Sequence, residues 1–144
     1  MTSIFIVSGG TGFSGEPLLR TALAQFPEVE AQVSTIGGVR RPEQLETAVA
    51  RAAAANGLIV HTLVDAELRL ALERLAAARG VLAVDLMGPL LARLQMLLGR
   101  EPAGRPGLYR EQNREELERT EAIDFTLAHD DGRHPEDWRQ ADIV

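Results

Sequence analysis

The fold of this chain is decided by the stretch Ile4-Phe5-Ile6-Val7-Ser8-Gly9-Gly10-Thr11-Gly12-Phe13-Ser14-Gly15. Its first four residues are apolar, which predicts a short buried strand, and a turn rich in Gly, Ser and Thr follows. A helix pattern comes next, because apolar residues return at the i, i+3, i+4 and i+7 positions Leu19, Ala22, Leu23 and Phe26. A strand, a glycine turn and a helix in this order offer backbone N–H groups and a helix N-terminus to an anion. We therefore expect the ligand-binding end of the molecule here.

The glycine turn admits more than one interpretation. Gly9, Gly12 and Gly15 have the spacing of the turn in short-chain dehydrogenase-like dinucleotide folds, which is a weak signal by itself. The same spacing also fits a tight turn that binds no ligand, in which the glycines are needed only because the backbone adopts a positive φ. As a phosphate site, the turn would use the backbone N–H groups and hydroxyls of Ser8, Gly10, Thr11 and Gly12.

The composition bounds the class of protein. The chain has 144 residues, 45% of them hydrophobic and 25% charged, which fits a single globular domain. It has no cysteine, so disulfides, zinc–thiolate sites and thiol nucleophiles are excluded. All 15 basic residues are arginine, and therefore a P-loop lysine, a lysine Schiff base and the Tyr-x-x-x-Lys pair of dehydrogenases are absent from this chain.

Charge is distributed unevenly along the chain. Residues 1–110 hold 11 arginines against 10 acids, whereas residues 111–144 hold 4 arginines against 11 acids, which together give the net charge of −6. The sequence has no basic stripe of the kind that predicts nucleic-acid binding. The acidic tail is interpreted as a solvated face or as a docking segment for a basic partner. The start of the chain is too short and uncharged for a signal peptide, and no apolar run is long enough to span a membrane. We therefore expect a cytoplasmic protein with no membrane contact.

The hydrophobic pattern predicts three further strands, over residues 29–36, 58–64 and 81–85. The first alternates loosely, as an edge strand does, while the second is apolar enough to be covered on both faces. Each is followed by a helix pattern, with Asp65 as the cap of the third helix. The fourth helix is predicted to begin at Gly88 and to face the core with Leu90, Leu91, Leu94, Leu97 and Leu98.

Four strand–helix units in succession predict a doubly wound, four-stranded parallel sheet of flavodoxin-like or Rossmann-like order over residues 1–98. Residues 99–107 are rich in Gly and Pro and are interpreted as a linker. A charged helix over residues 111–127 and the acidic tail complete the chain. Residues 99–144 are therefore predicted to pack on the α/β domain as a C-terminal helical extension.

Ligands of parallel α/β sheets bind beyond the carboxyl ends of the strands, so the residues at that edge are the candidates for a site. Arg40 and Arg41 follow the second strand, where a guanidinium can pair with a phosphate through two hydrogen bonds. Asp85 ends the fourth strand, where it either binds a ligand or caps the next helix. His61 lies within a buried strand and is predicted to be a hydrogen-bonded core residue.

Six segments of the chain carry a resemblance to a known family. Two of them read Asp85-Leu86-Met87-Gly88-Pro89-Leu90-Leu91 and His129-Asp130-Asp131-Gly132. All six follow one another at residues 4–12, 39–40, 62–69, 85–91, 121–125 and 129–136. In order and spacing they resemble the regulatory proteins of pyruvate, phosphate dikinase and of phosphoenolpyruvate synthase, the kinase–pyrophosphorylase family.

The resemblance implies a bifunctional regulator. Such proteins use ADP to phosphorylate a threonine beside the catalytic histidine of a dikinase, and they remove this phosphate by phosphorolysis, which releases pyrophosphate. The family carries its P-loop in a second domain, so the match is to the N-terminal domain and this chain is expected to be inactive by itself.

The resemblance also assigns site residues. It implies that His129, Asp130 and Asp131 position a hydroxyl, act as a general base or bind Mg²⁺. The implied ligands are ADP and phosphate, and the implied partners are a dikinase and a second copy in a homodimer. The residues that would hold the phosphate or nucleotide are Ser8, Gly10, Thr11, Gly12 and Arg40.

The sequence departs from the family at the glycine turn. The family usually has Asp where this chain has Gly9, and Phe13 and Gly15 replace more polar residues. Two alternatives therefore stay open. One is a stand-alone module that senses a nucleotide or phosphate. The other is an NADP-binding domain of dehydrogenase type, in which Arg40 or Arg41 would meet the 2′-phosphate.

Overall fold

Strands and helices alternate along the chain in the computed structural model, which describes residues 1–12, 14–109 and 111–112. In chain order the elements are β1 Thr2–Val7, α1 Gly15–Leu23, β2 Ala31–Ile36, α2 Pro42–Ala54, β3 Leu58–His61, α3 Ala66–Ala78, β4 Leu82–Asp85 and α4 Gly88–Leu98. They belong to a first compact unit, Met1–Pro106, and a second unit begins at Gly107.

The four strands form one parallel sheet in the order β2-β1-β3-β4. The register places Ile6 of β1 beside Thr35 of β2 and Val60 of β3, and His61 of β3 beside Asp85 of β4. The chain runs outward from β1 to β2 and then returns to the other side of β1 with β3. The strand order therefore reverses between β1 and β3, as the predicted flavodoxin-like order requires.

Helices cover both faces of the sheet, which confirms the doubly wound class. On one face α2 and α3 bury Leu45, Val49, Leu68 and Leu72 against Phe5, Val7 and Ile59 of the strands. On the other face Leu19 of α1 packs against Ile4, Ile6 and Val60. Both core clusters follow from the alternation of side chains along β1, since residues 4 and 6 point to one face and residues 5 and 7 to the other.

Local signals set the helix ends. The Asp65 carboxylate accepts hydrogen bonds from the N–H groups of Glu67 (2.9 Å) and Leu68 (3.2 Å), which confirms it as the cap of α3. At the end of α2, Asn56 adopts a left-handed conformation with φ +49°, and the N–H of Gly57 donates to the carbonyl of Ala52 at 2.8 Å. The chain therefore turns directly from α2 into β3.

Two sequence predictions about helix faces are wrong. Phe26 lies beyond the end of α1 and is 61% exposed, because Pro27 disfavours helical backbone at the preceding residue. α4 forms at the predicted position but buries none of its side chains, and Leu90, Leu94, Leu97 and Leu98 are exposed rather than inward. A stripe of leucines predicts an apolar helix face, and it does not say which element covers that face.

The strand ends also differ slightly from the sequence prediction. β3 ends at His61 instead of residue 64, and β4 begins at Leu82 because the N–H of Val81 donates to the carbonyl of Ala76 at 2.8 Å. Of the predicted helix over residues 111–127, the structure describes only residues 111 and 112, which are helical. The rest of this helix and the acidic tail lie outside the described residues, so the C-terminal extension stays a prediction. Among the helices of the described residues, none has the length and apolarity needed to cross a membrane.

Candidate functional site

The carboxyl edge of the sheet brings together the loops that follow β1, β2, β3 and β4. This edge includes the place between β1 and β3 where the strand order reverses, and ligands of such sheets bind at that place. Gly15 contributes to the close packing there, since a Cβ at this position would lie 3.1 Å from Ile6 Cγ2 and 3.2 Å from Thr62 Cγ2. The start of α1 therefore sits directly on the sheet beside the loop after β3.

Ser8 is engaged inside the glycine turn. Its side chain is buried, and its hydroxyl accepts a hydrogen bond from the N–H of Gly10 at 3.0 Å. Its own N–H donates to the carbonyl of Ile36, also at 3.0 Å. The Ser8 hydroxyl thus stabilises the turn. Thr11, which carries the next hydroxyl group along the chain, is exposed.

The turn is tied to the segment after β2 by backbone contacts. The N–H of Gly38 donates to the carbonyl of Gly10 at 2.8 Å, and the N–H of Val39 donates to the carbonyl of Ser8 at 3.0 Å. A Cβ on Gly37 would lie only 2.7 Å from the carbonyl oxygen of Gly10, so glycine is needed there. The two glycine-rich loops therefore form one packed unit.

Arg40 is brought to the glycine turn. Its Nε donates a hydrogen bond to the carbonyl of Gly9 at 2.9 Å, across 31 positions of sequence. An arginine has five N–H donors, so the remaining donors of this exposed guanidinium stay beside the turn. The structure therefore places together two of the predicted phosphate-binding elements, the Gly-rich turn and Arg40.

Gln44 fixes the backbone that carries Arg40, a role that the sequence analysis missed. Its side-chain oxygen accepts hydrogen bonds from the N–H groups of Arg40 (2.7 Å) and Arg41 (3.0 Å), and its amide donates to the carbonyl of Gly38 at 3.1 Å. The signal for it is a Gln three residues after the N-cap Arg41, the spacing of a capping box.

Asp85 caps α4, which is one of the two roles left open by the sequence. Its Oδ1 accepts hydrogen bonds from the N–H groups of Met87 (2.8 Å) and Gly88 (2.7 Å). Its Oδ2 lies 3.8 Å from Nε of Arg69, whose Nη1 also reaches the carbonyl of Val64 at 3.5 Å. The carboxylate therefore joins the loop after β4 to α3.

His61 is fully buried beside this carboxylate, with Nδ1 4.0 Å from Oδ1 of Asp85. Neither ring nitrogen has a hydrogen-bond partner among the described residues, so the core position was predicted correctly and the hydrogen bond was not. Burial lowers the pKa of His61 below its ordinary value of 6.5, an effect that Asp85 and Glu73 oppose and Arg69 reinforces. The imidazole is therefore neutral near pH 7, and its contact with Asp85 is not an ion pair.

A lowered pKa at His61 predicts that the protein loses stability in mild acid. Below pH 6.5 the unfolded chain takes up a proton at this residue and the folded chain does not. The free energy of unfolding therefore decreases as the pH is lowered, by at most about 1.4 kcal/mol per pH unit. Urea unfolding at pH 7.5, 6.5, 5.5 and 5.0 measures this slope. In His61→Leu the slope between pH 6.5 and 5.0 is expected to be smaller.

The control for this prediction is Val60→Ala, which removes buried volume from the same strand and keeps the buried imidazole. It is expected to retain the wild-type slope. Equal slopes in the wild type and His61→Leu would contradict a neutral, buried His61.

The three predicted catalytic residues, His129, Asp130 and Asp131, lie outside the described residues and stay predictions. Within the described ranges, no group of three or more His, Asp and Glu side chains is arranged to hold a metal ion. The described part of the candidate site therefore consists of the Gly-rich turn, Arg40, and Gln44, which fixes the backbone of Arg40.

The fold and the candidate site define a doubly wound α/β domain in which an arginine from the segment after β2 is bound to the first glycine turn. Comparison with known proteins gives the family. The model of the kinase/pyrophosphorylase family matches residues 4–144, and this chain belongs to that family.

Relatives in the same family carry the name pyruvate, phosphate dikinase regulatory protein. One from Chloroflexus aurantiacus is 47% identical over 141 residues, which cover 98% of this chain and 50% of the relative. One from Geobacter metallireducens is 40% identical over 144 residues, 100% of this chain and 54% of the relative. One from Desulfotalea psychrophila is 37% identical over 141 residues, 98% of this chain and 50% of the relative. The chain thus spans about half the length of these relatives.

Proposed function

We propose that this chain forms part of a regulatory kinase and pyrophosphorylase that acts on pyruvate, phosphate dikinase or phosphoenolpyruvate synthase. Its family membership and the names of its relatives support the regulatory role. The observation that carries a ligand role for this domain is the hydrogen bond from Arg40 Nε to the carbonyl of Gly9, which holds a guanidinium over the Gly-rich turn at the ligand edge of the sheet.

The proposed reaction is a phosphoryl transfer. In the forward direction a threonine hydroxyl of the dikinase attacks the β-phosphorus of ADP, the bond to the bridging oxygen breaks, and AMP leaves. In the reverse direction inorganic phosphate attacks the phosphothreonine, and pyrophosphate and the free threonine form. Both directions bind anionic phosphates, which a guanidinium and oriented backbone N–H groups stabilise.

Roles within this chain divide between two regions. Arg40 and the turn at Gly10, Thr11 and Gly12 hold a phosphate of the nucleotide, and Ser8 keeps the turn in shape through its bond to Gly10. His129, Asp130 and Asp131 position the threonine hydroxyl or Mg²⁺. The proposal includes a homodimer, which the family resemblance implies, and a cytoplasmic location, which the sequence analysis predicts.

The test is binding of the chain to a purified pyruvate, phosphate dikinase. We expect the two proteins to sediment together, and we expect no transfer of label from β-labelled ADP to the dikinase, since this chain holds no lysine for a P-loop. An unrelated enzyme of similar size is the control for nonspecific association. Absence of co-sedimentation, or threonine phosphorylation by this chain unaided, would contradict the proposed division of roles.

A further inference from the structure

The segment that follows α4 returns to the carboxyl edge of the sheet. Gly99 ends the helix with φ +65°, and its N–H donates to the carbonyl of Gln95 at 2.9 Å. The 11 residues of α4 carry the chain about 16 Å from the start of the helix, and five extended residues can span about 17 Å. Residues 100–104 are therefore just long enough to bring the chain back. We call residues 100–106 the strap.

The strap contacts the loops on both sides of the place where the strand order reverses. A Cβ on Gly104 would lie 3.9 Å from the carbonyl oxygen of Val64, in the loop after β3. Two residues later, the ring of Pro106 lies against the glycine turn after β1, since a Cβ on Gly9 would be only 2.8 Å from Cβ of Pro106. All of these residues belong to the first compact unit, Met1–Pro106. The strap therefore crosses the carboxyl edge between β3 and β1, where ligands of such sheets bind.

Arg105 lies between these two contacts, one residue from the proline that touches the glycine turn. Its side chain is exposed, and it forms no hydrogen bond or ion pair within the part of the chain that the structure describes. The carbonyl of Gly9, which Pro106 covers, also accepts the hydrogen bond from Arg40 Nε at 2.9 Å. Two arginines that are 65 positions apart in the sequence are thus brought to the same turn.

The carboxylates at this edge are engaged elsewhere. Asp65 caps α3, and Asp85 caps α4 and lies 3.8 Å from Nε of Arg69. Among the described residues, no carboxylate forms an ion pair with Arg40 or Arg105. The positive charge of these two guanidiniums is therefore available to an anionic ligand.

We propose that Arg105 is a second phosphate-binding residue, and that Arg105 and Arg40 together hold the two phosphates of a diphosphate group over the Gly-rich turn. A guanidinium pairs with one phosphate through two parallel hydrogen bonds, so two guanidiniums match a diphosphate better than a single phosphate. Both a nucleoside diphosphate and free pyrophosphate carry this group. The inference rests on the proposed ligand role of this domain and adds to it a residue and a class of ligand.

The position of the strap argues against a dinucleotide. A dinucleotide lies across the crevice at the reversal of strand order, with one nucleotide on each side. Gly104 and Pro106 place the strap across this crevice, so a second nucleotide would have to displace it. A ligand with one nucleoside, or with none, leaves the strap where it is.

Isothermal titration with ADP, pyrophosphate, AMP and phosphate in separate runs tests the role of Arg105. In Arg105→Gln we expect the binding of ADP and pyrophosphate to weaken about tenfold, the effect of losing one charge-assisted contact. Binding of AMP and phosphate, which Arg40 alone can hold, should stay within about twofold of the wild type, which also shows that the variant is folded. Arg100→Gln is the matched control, because it removes an exposed arginine from the same strap, and it should bind all four ligands as the wild type does.

The outcomes separate this inference from the proposed function. If the wild type binds ADP or pyrophosphate and Arg105→Gln binds them equally well, the role of Arg105 is overturned and the ligand role of the domain stands. An equal loss in Arg100→Gln, or an equal loss for AMP and phosphate, would also overturn the diphosphate assignment. A wild type that binds none of the four ligands would contradict both. A loss confined to ADP would assign the site to a nucleoside diphosphate, and a loss confined to pyrophosphate would assign it to the free anion.

Trypsin gives a second readout that does not depend on heat. The enzyme cleaves after arginine unless proline follows, so within the strap it can cut between Arg100 and Glu101 and is blocked between Arg105 and Pro106. A diphosphate that joins the strap to the turn should slow the cut after Arg100 in the wild type and not in Arg105→Gln, because a ligand that binds only the closed form reduces local opening. Equal protection of both chains, or no protection of a wild type saturated with ADP or pyrophosphate, would overturn the proposed bridge.

Discussion

Replacing Gly12 by alanine is expected to lower the free energy of unfolding by about 2–4 kcal/mol. Two costs combine at this position. Gly12 has φ +80°, a left-handed conformation that strains any residue with a Cβ. The added Cβ would also lie only 2.5 Å from Cγ2 of Thr35 on β2, so the turn would have to move away from the sheet.

Two variants separate these costs in urea unfolding at pH 7. Thr35→Ser removes the methyl group that Gly12→Ala would strike, so the double variant should recover the steric part and retain a loss of about 1–2 kcal/mol. Gly38→Ala has a similar φ of +66° with nothing within 4 Å of its Cβ, and it should show the conformational cost alone. The packing of the turn against β2 would be contradicted if Gly12→Ala lowered the free energy of unfolding no more than Gly38→Ala does, and if Thr35→Ser recovered none of that loss.

Arg40→Gln is expected to weaken the binding of ADP or phosphate at least tenfold. The substitution removes the charge and the donors held beside the Gly-rich turn, and hydrogen bonds to charged groups each contribute about 1.5–3 kcal/mol. Titration calorimetry of the wild type and the variant measures the change. Stability should hardly change, because Arg40 is exposed.

The matched control is Arg41→Gln, at the adjacent position. Arg41 is also exposed and precedes α2, and no hydrogen bond joins its side chain to the turn within the described residues. We expect binding within twofold of the wild type. An equal loss in both variants would indicate a general effect of positive charge instead of a site at Arg40.

The sheet could be predicted from the sequence because its signals are local. Short apolar runs, glycine turns and helix caps such as Asp65 each follow from a few neighbouring residues, and the right-handed crossover rule joins them into one topology. The covering of α4 could not be predicted. Its leucine stripe is as regular as that of a buried helix, and only the three-dimensional arrangement shows that no described element packs on it.

The candidate site was predictable in position and only partly in detail. The strand ends place Ser8, Arg40 and Asp85 at one edge, but their contacts depend on long-range geometry. Arg40 reaches Gly9 across 31 residues, and the carboxylate of Asp85 turned out to cap α4. The glycine spacing was ambiguous because Gly12 is required for packing against Thr35, whether or not the turn also binds a phosphate.

The most direct test of a phosphate or nucleotide site in this domain is isothermal titration of the chain with ADP, AMP, phosphate and NADPH in separate runs, each with and without Mg²⁺. We predict saturable binding of ADP or AMP in the micromolar range and no binding of NADPH. Binding of NADPH alone would indicate a dehydrogenase-type turn, and the absence of heat from all four ligands would contradict a ligand site at the Gly-rich turn and Arg40.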